Sequence, residues 1–443
     1  MNIIKNITRI LFLPLSFLTL AGCNKYLDIK PVGTVIPTTP ADFRGLMVSA
    51  YNGFPDHKSY LNLRTDELDL DEFSEDIASV KDIYIWNDLN PDRTTTPFAW
   101  QTFYKSIFYA NQVIDQAKEK AGDTKEVQQI RGEAYLLRAY AHFELLNMYA
   151  PVYNKTTSVT DRGVPISTKL DLEQPYVPAT VETVYQQIFQ DIQEGEALLN
   201  ETSETPKFRY RFTKTAAKAL EARIYLYRGE WELASQKAAA ALALHGDLEN
   251  LNKDDAHLPN DYRSVEQLQA LENVFNSTLQ NSSRVSPLFA ELYDKQGDMR
   301  YARYFQDNDG TLVGIKGGST DFLCSFRTGE LYLIQAEALA QQGKIAEALS
   351  SLETLGKNRL TPSYLETWKS TIANLSASAL LQEIYQERAR EMALEGLRWY
   401  DLKRTTQPSI EHTYQDKSFV LTQGDPRYVI RYPREATANN PNL

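Results

Sequence analysis

Apolar positions recur every three or four residues over long parts of the chain, which predicts amphipathic helices. One such stretch, QIRGEAYLLRAYAHFELLNMY, ends just before Pro151. A second runs from Val181 to Leu199 with Thr180 as its N-cap, and Thr213 caps a third that stops at Gly229. The apolar stripe of the first helix consists of Ile130, Ala134, Leu137, Ala141, Leu145 and Met148.

Two helical segments repeat each other. In AAKALEARIYLYRGEWELASQKAAAAL, Ala234 follows Gly229 by five residues, and in LYLIQAEALAQQGKIAEALSSLETL, Ala348 follows Gly343 at the same spacing. Small residues let paired helices approach closely and glycine permits a tight turn, so the pattern predicts units of the tetratricopeptide type. The copies lie far apart along the chain, and the helical pair within 128–199 is interpreted as a further, divergent unit.

Long stretches rich in Asn, Asp, Ser, Thr, Pro and Gly separate these units. Loops of this length in a compact protein are usually functional or disordered. The prediction is a mostly α-helical fold, in which interrupted tetratricopeptide-type repeats form a scaffold and an irregular, loop-rich layer packs on it. The repeats are placed at roughly 98–245 and 326–404, and the loop-rich layer at roughly 25–97, 246–325 and 360–375.

The first 22 residues have the pattern of a bacterial lipoprotein signal peptide. Lys5 and Arg9 precede an apolar run from Ile10 to Leu20, which Ala21, Gly22 and Cys23 follow. The run is too short to remain as a comfortable membrane span. We expect one domain over 23–443, held on a membrane by acyl chains on Cys23. The alternative is a cleaved signal peptide whose cysteine is incidental.

The composition narrows the classes of ligand. The net charge of −11 argues against nucleic acid and disfavours phosphorylated ligands. With Cys23 lipidated, Cys324 is the single remaining cysteine, so no intramolecular disulfide is expected. The 26 tyrosines and 5 tryptophans supply many flat, amphipathic faces, some of which can stack on sugar rings or peptide side chains.

The segment LLQEIYQERAREMALEGLRWYDLKRT, with a cap near Ser376, places Glu387, Glu391 and Glu395 at successive i,i+4 positions. Like charges in this arrangement repel unless cations lie among them. The expected cations are Arg388, Arg398, Lys403 and Arg404. An acid/base pair needs one protonated carboxyl group, whereas arginines would hold both ionised. The pattern therefore favours a structural ion network over catalysis.

Other chemical motifs are lacking. The five histidines show no His-x-x-x-His spacing, and the chain contains no nucleophile elbow and no phosphate-binding glycine loop. The acidic run from Asp66 to Asp76 lacks the glycine of a calcium loop, which favours a solvated or hydrogen-bonding loop over a calcium site. We therefore expect no catalytic residue, no metal and no cofactor.

Taken in order, several motifs resemble the RagB/SusD family of outer-membrane lipoproteins of the Bacteroidetes. They are the lipidated cysteine with Tyr26-Leu27-Asp28 and Pro31-Val32-Gly33, then Trp100, Tyr104, Ile107 and Asn111, then RGEAYLLRAYAHFELLNMYAPV, KTAAKALEARIYLYRGEW, the Asp298/Arg300 pair, ELYLIQAEALAQQGK, ERAREMALEGLRWYDLKR and YVIRYPREATANNP. The resemblance covers nearly the whole chain. At 443 residues the chain is shorter than many relatives, so the loop layer that binds ligand is expected to be trimmed.

The resemblance implies a lipid-anchored, surface-exposed protein that captures a nutrient. Such proteins sit as lids on a SusC-like, TonB-dependent transporter of the outer membrane, and they pass oligosaccharides, or in some relatives peptides, to that pore. A surface hydrolase and a repeat scaffold that binds only protein remain the alternatives. Turnover of a polysaccharide or peptide would identify a hydrolase. A ligand screen would distinguish a nutrient-binding protein from a scaffold that binds only protein.

Candidate ligand residues follow from the position of the tryptophans. Trp100, Trp231 and Trp399 lie inside helical motifs and are expected in the core, whereas Trp86 and Trp368 do not. Trp86 stands in a turn-rich loop, and with its polar neighbours Asn87 and Asp88 it is proposed as a stacking platform for a sugar. The alternative is that Trp86 anchors the loop on the helices. Weaker candidates from the irregular layer are Tyr60, Tyr262 and Tyr304.

Overall fold

The computed structural model describes residues 36–170 and 176–443. The predicted signal peptide, the lipidation site Cys23 and the motifs just after it lie outside the described residues. Within the two described ranges, no helix has the length and apolar character needed to cross a membrane.

Helices make up most of the structure. They are α1 Pro40–Asn52, α2 His57–Leu61, α3 Ile77–Tyr84, α4 Gln101–Ala121, α5 Lys125–Tyr149, α6 Val181–Leu198, α7 Lys214–Tyr227, α8 Trp231–Leu244, α9 Ser277–Ser282, α10 Pro287–Ala290, α11 Met299–Tyr304, α12 Thr328–Gln341, α13 Ile345–Gly356, α14 Pro362–Ala373, α15 Ala377–Glu391, α16 Arg398–Arg404 and α17 Arg434–Asn439. Short 3-10 helices lie at Asn62–Arg64, Pro206–Phe208 and Pro426–Tyr428.

The strands of the described residues are short and pair as two-stranded antiparallel sheets: β1 with β5, β2 with β3, β4 with β8, β6 with β7, and β9 with β10. They span β1 Leu68–Leu70, β2 Arg162–Pro165, β3 Pro178–Thr180, β4 Gln267–Gln269, β5 Ser283–Val285, β6 Phe305–Asn308, β7 Thr311–Gly314, β8 Phe326–Arg327, β9 Ile410–Tyr414 and β10 Lys417–Leu421. None of them forms a sheet core, so helix packing provides the framework.

The predicted helical scaffold is confirmed. Helix α4 packs on α5 and α5 on α6, while α7 with α8 and α12 with α13 form helical hairpins. Both hairpins turn at the predicted glycines, Gly229 and Gly343, whose φ angles are 69° and 76°. A side chain is strained at such angles, which explains the glycine. Ala234 and Ala348, at the predicted spacing, are fully buried between the paired helices.

The predicted helix starts are confirmed by their caps. The Thr180 hydroxyl accepts a hydrogen bond from the Thr183 amide, Thr213 from the Ala216 amide and Ser376 from the Ala379 amide. Helix α5 ends at Tyr149, just before Pro151, and its apolar stripe lies in a core that continues through α4, α6, α7 and α12.

The expectation of an irregular stretch at 360–375 is wrong, because this segment holds α14. Pro362 occupies the first turn of α14, where proline needs no amide partner, and Leu365 and Ile372 bury the inner face. Helices α1 and α3 likewise lie within the predicted loop region 25–97. Short helices with mixed composition leave only a weak periodic signal.

Candidate functional site

A cleft of about 1830 Å³ opens between the scaffold and the loop layer. Its walls come from several separate parts of the chain: residues 51–60, 96–108, 165–167, Tyr176, 206–210, 262–273, 320–323 and 433–443. Pockets for small molecules usually enclose about 300–1,000 Å³. The cleft is therefore large enough for an extended ligand of several units.

The scaffold side of the cleft is the first part of α4. Gln101, Tyr104, Lys105 and Phe108 line the cleft from one helical face, at i, i+3, i+4 and i+7. Tyr104 is fixed by a hydrogen bond from its hydroxyl to the Pro165 carbonyl at 2.8 Å. An aromatic ring held in this way can receive a ligand without losing much conformational entropy.

Trp100 precedes this face and also lines the cleft. Its ring centroid lies 5.1 Å from that of Tyr104, and it contacts Tyr149 and Tyr432 edge-on at 5.2 and 4.9 Å. The side chains of Trp100 and Trp231 are both half-buried, so the expectation that they lie in the core is wrong, whereas Trp399 is fully buried as expected. We call Trp100, Tyr104 and Phe108 the scaffold aromatics.

A second group, the loop aromatics, consists of Tyr60, Tyr210 and Tyr262, which are all half-buried and line the same cleft. Tyr210 packs edge-on against Tyr51 with ring centroids 5.3 Å apart. The backbone of Tyr262 is held on both sides, because its carbonyl accepts from Arg209 at 2.8 Å and its amide donates to Asp321 at 2.9 Å.

Polar side chains complete the lining, and most of them are uncharged: Asn52, Thr96, Gln101, Thr102, Ser167, Asn273, Thr320, Asn439 and Asn440. Two of the lining carboxylates have partners, since Asp56 accepts from Asn276 at 2.9 Å and Asp321 lies 3.6 Å from Arg263. Flat aromatic faces beside amides and hydroxyls can stack on sugar rings while they exchange hydrogen bonds with sugar hydroxyls.

Among the residues proposed from the sequence, Tyr60 and Tyr262 line the cleft. Trp86 does not, because it is 2% exposed and its indole stacks on His412 with centroids 4.2 Å apart. Its Nε1 donates to the Arg64 carbonyl at 3.1 Å. In this conformation Trp86 has no free face for a sugar, which favours the alternative that it anchors its loop.

The polar neighbours of Trp86 are also engaged. Asp88 receives two hydrogen bonds from Arg64, at 2.7 and 2.9 Å, and Asn87 donates to the Asp82 carboxylate and to the Asn90 carbonyl. These contacts hold the loop in place and lie apart from the cleft lining.

The two remaining candidates are core residues. Tyr304 is fully buried, with Lys316 above its ring at 4.2 Å. Trp368 is 7% exposed, lies within α14, and directs its Nε1 toward Glu383 at 3.4 Å. Neither side chain belongs to the cleft lining, so neither can contact a ligand there.

The predicted ion network exists, but its cations come from other parts of the chain. Glu391 is fully buried and accepts hydrogen bonds from Arg327 at 2.5 Å, from Arg359 at 2.8 and 2.9 Å, and from Arg300 at 3.1 Å. Glu395 is bound by Arg327 and Lys316. These cations belong to segments that are distant in the sequence, so the spacing of residues along one helix could not predict them.

The cations proposed from the sequence have other partners. Arg388 pairs with Asp401 at 2.7 Å, and Arg398 pairs with Asp66 at 2.8 Å. Lys403 donates to the backbone carbonyls of Asn147 and Ala150. Arg404 donates to Glu337 and Asp401.

Both carboxylates of the proposed acid/base pair stay ionised. Burial raises the pKa of Glu391, but the charges of Arg359 and Arg327 outweigh burial and hold it well below its usual range. Burial also raises the pKa of Glu395, but the charges of Arg327 and Lys316 outweigh burial, so the pKa is lowered. Neither group offers the proton that a general acid needs.

The acidic run is used in ion pairs and hydrogen bonds. Asp66 binds Arg398, Asp71 binds Arg284, and the buried Glu67 accepts from the Leu394 amide at 2.9 Å. Across residues 36–170 and 176–443, no group of three or more His, Cys, Asp or Glu is arranged to hold a metal ion.

Sequence reasoning missed most of the aromatic lining: Trp100, Tyr104, Phe108, Tyr176 and Tyr210. One usable signal was present, since Gln101, Tyr104, Lys105 and Phe108 form a mixed aromatic and polar face on a helix whose opposite face is apolar. Tyr210 had no such signal.

Two family models match the chain. One, described as "Starch-binding associating with outer membrane", matches residues 25–226, and the other, described as "SusD family", matches residues 279–441. Together they account for most of the chain, including the scaffold aromatics and the ion network.

Individual proteins show the same likeness. SusD-like protein P38 of Formosa agariphila is 24% identical, over 90% of this chain and 92% of its own length. The crystal structure of a SusD superfamily protein from Bacteroides thetaiotaomicron, 23% identical, has a TM-score of 0.75 over 91% of this chain and 98% of that protein. A laminarin-binding SusD-like protein, 21% identical, has a TM-score of 0.61 over 83% of this chain and 92% of that protein. At these identities the solved structures establish the fold.

Proposed function

This chain belongs to the RagB/SusD family, and on that premise we propose that it captures an oligosaccharide in the cleft and delivers it to a SusC-like, TonB-dependent transporter of the outer membrane.

The observation that carries the proposal is the composition of the cleft. Six half-buried aromatic side chains, the scaffold and loop aromatics, line one space of about 1830 Å³ together with uncharged amides and hydroxyls. Sugar rings present apolar faces and a rim of hydroxyls, which suits this mixture. The likeness to a laminarin-binding protein supports a glycan over a peptide.

A binding role without catalysis is consistent with the chemistry of the site. The paired carboxylates Glu391 and Glu395 are buried, and the cations around them lower their pKa values. They therefore cannot serve as an accessible general acid and base.

Members of the family are binding proteins. A surface hydrolase would need an acid and a base in the cleft; of the carboxylates that line it, Asp56 accepts a hydrogen bond from Asn276 and Asp321 lies 3.6 Å from Arg263.

The site of action proposed here is the cell surface, through acyl chains on Cys23. The description of the matched family associates it with the outer membrane. Cys23→Ala should release the protein from the membrane fraction, since acyl chains supply the anchoring energy. Membrane retention of this variant at the wild-type level would refute the lipid anchor and leave the binding role standing.

Calorimetric titration of the purified protein tests the ligand class. The panel consists of neutral oligosaccharides, acidic oligosaccharides and peptides of matched length. Binding of at least one oligosaccharide, with no peptide binding, supports the proposal. Binding of peptides alone would contradict the glycan and identify the ligand as a peptide.

The partner is tested separately, by asking whether the tagged protein captures a transporter from outer membranes.

A further inference from the structure

A small cavity of about 20 Å³ lies in the scaffold at the carboxyl end of α5. Its wall consists of the last turn of α5, residues 151–153, and side chains from α6, α7 and α16, and it shares no residue with the lining of the cleft. A cavity of roughly 10–15 Å³ already holds one water molecule. There is therefore room for one particle of that kind, whereas a sulfate, a phosphate or a sugar is too large.

Two hydrogen-bond donors in this wall have no partner. They are the Nδ2 atom of Asn147 and the hydroxyl of Tyr227, both of which are buried and make no hydrogen bond within the described residues. Tyr227 is 6% exposed and lies in α7. A buried donor without an acceptor is costly, so a particle that accepts from both groups would stabilise this part of the scaffold.

Lys403 of α16 adds a third donor and a positive charge. It is 4% exposed, and its Nζ donates to the carbonyls of Asn147 and Ala150 at 2.6 and 2.7 Å. Bonds this short are typical of a charged donor, and one of the three N–H bonds is left over. The two carbonyls end α5, and a helix carries about half a negative elementary charge at its carboxyl end. They therefore offset only part of the ammonium charge.

The wall contains cations but, as far as the structure describes the chain, no carboxylate. Its other cation, Arg404, is already paired, because it donates to Glu337 and Asp401. Burial lowers the pKa of Lys403 to about 7, and the charge that acts on this ammonium, that of Arg64, is positive as well. A buried charge without a counter-ion is costly, so the wall favours a small anion over a neutral water molecule.

The carboxylates close to this wall are held by other groups. Glu144 accepts from Tyr400 at 3.0 Å and from His57 at 2.8 Å, and it lies 3.7 Å from Lys58. Asp401 is bound by Arg388 at 2.7 Å as well as by an arginine of the wall. Neither carboxylate pairs with the ammonium at the cavity.

We propose that this cavity is a binding site for one monovalent anion of halide size, such as chloride, held by Lys403, Asn147 and Tyr227. The ion balances the ammonium and gives both unpartnered donors an acceptor. It also joins the end of α5 to α7 and α16, so its binding stabilises the scaffold. Pro151 in the wall is exposed, which places the cavity next to solvent and lets the ion exchange. The site lies apart from the cleft, so the inference does not depend on the proposed function.

Thermal unfolding of the wild-type protein in mixtures of sodium chloride and sodium gluconate tests the site at constant ionic strength. Gluconate is too large for the cavity. If the Kd for chloride is about 10 mM, replacing about 300 mM gluconate by chloride should raise the melting temperature by about 2 °C. Bromide should act in the same way. Equal melting temperatures in chloride and gluconate would overturn the proposal.

Variants assign the effect to this cavity. Tyr227→Phe removes one donor and keeps the ring, so the chloride needed for half of the stabilisation should rise about tenfold. Tyr225→Phe is the matched control, because Tyr225 lies on the same helix, is half-buried and is outside the lining. Lys403→Met should abolish the dependence on chloride. The tyrosine variant decides even when the lysine variant folds poorly, and a wild-type chloride dependence in Tyr227→Phe would place the ion elsewhere and overturn the site.

Anomalous diffraction from crystals soaked in sodium bromide locates the ion directly. The proposal predicts a bromide peak in the cavity, within contact of Lys403 Nζ, Asn147 Nδ2 and the Tyr227 hydroxyl. A water molecule in the cavity without anomalous signal would overturn the anion and leave a structural water in its place. Bromide peaks confined to other parts of the surface would overturn it as well.

Discussion

The cleft and the ion network around Glu391 both collect polar side chains, but they differ in how those side chains are satisfied. Each carboxylate oxygen of Glu391 accepts from two arginines inside a site without solvent. In the cleft, Gln101, Thr102 and Thr320 are exposed and their side chains make no hydrogen bond within the described residues. The oxygens of the network already have their hydrogen-bond partners, so they cannot bind a ligand. The exposed side chains of the cleft are still able to exchange hydrogen bonds with one.

The comparison predicts that a change in the network affects folding and a change in the cleft affects binding. On this comparison the charged motif, which is the more conspicuous of the two in the sequence, is expected to act on folding and not on ligand binding. Perturbed carboxylates mark catalytic sites in some proteins, but structural ion pairs perturb them as well.

The largest effect is expected from Glu391→Ala. The variant leaves three buried arginines without their shared anion, so we expect the free energy of unfolding to fall by about 3–5 kcal/mol. Urea denaturation measures this loss. The matched control is Glu366→Ala, whose exposed carboxylate lies 3.4 Å from Lys369 and should change stability by less than about 0.5 kcal/mol. An unchanged unfolding curve for Glu391→Ala, together with lost glycan binding, would move the network into the functional site.

Trp86→Ala should also act on stability. Removing a fully packed indole costs about 3 kcal/mol or more, and here the stacking on His412 is lost as well. Below its melting temperature the variant should bind the glycan with wild-type affinity. A weakened affinity with an unchanged melting temperature would restore Trp86 as a ligand contact.

Acid should weaken the ion network around Glu391 and Glu395. The pKa values of Glu391 and Glu395 are lowered in the folded state, so their contribution is complete above the unfolded value of about 4.5 and is lost as the pH falls below it. Each pH unit between the folded and unfolded values contributes about 1.4 kcal/mol. Urea denaturation between about pH 6 and about pH 3 measures the loss. Glu391→Ala should show a shallower dependence, and an equal slope in both proteins would contradict the assignment.

A smaller effect, on affinity, is expected from Trp100→Ala. The loss of one stacking face should weaken oligosaccharide binding about tenfold, which corresponds to about 1.4 kcal/mol. Trp231→Ala is the matched control, because Trp231 is also half-buried but lies outside the cleft lining. Equal affinities of the two variants would remove Trp100 from the binding surface.

The scaffold could be predicted from the sequence because its signals are local. Caps such as Thr180 and Thr213, and glycines such as Gly229 and Gly343, act within one turn of the residues they control. The same locality explains the error at 360–375, where a polar helix of twelve residues has little apolar periodicity to detect.

The cleft and the partners of Glu391 could not be predicted in this way because they are long-range. Arg327 and Arg359 reach Glu391 from 64 and 32 residues away, and nothing in their local sequence indicates this partner. The tryptophans show the same limit. Trp86, in a polar loop, is buried by His412 from a distant hairpin, while Trp100, at a helix start, remains half-exposed because the chain leaves a space beside it.

The claim that the cleft binds an oligosaccharide is tested most directly by a crystal structure from crystals soaked with the oligosaccharide that binds best. The account predicts sugar rings against Trp100 or Tyr104 of the scaffold aromatics and against Tyr210 or Tyr262 of the loop aromatics, with hydroxyls bonded to lining amides such as Gln101. Ligand density outside this cleft, with the scaffold and loop aromatics untouched, would contradict it.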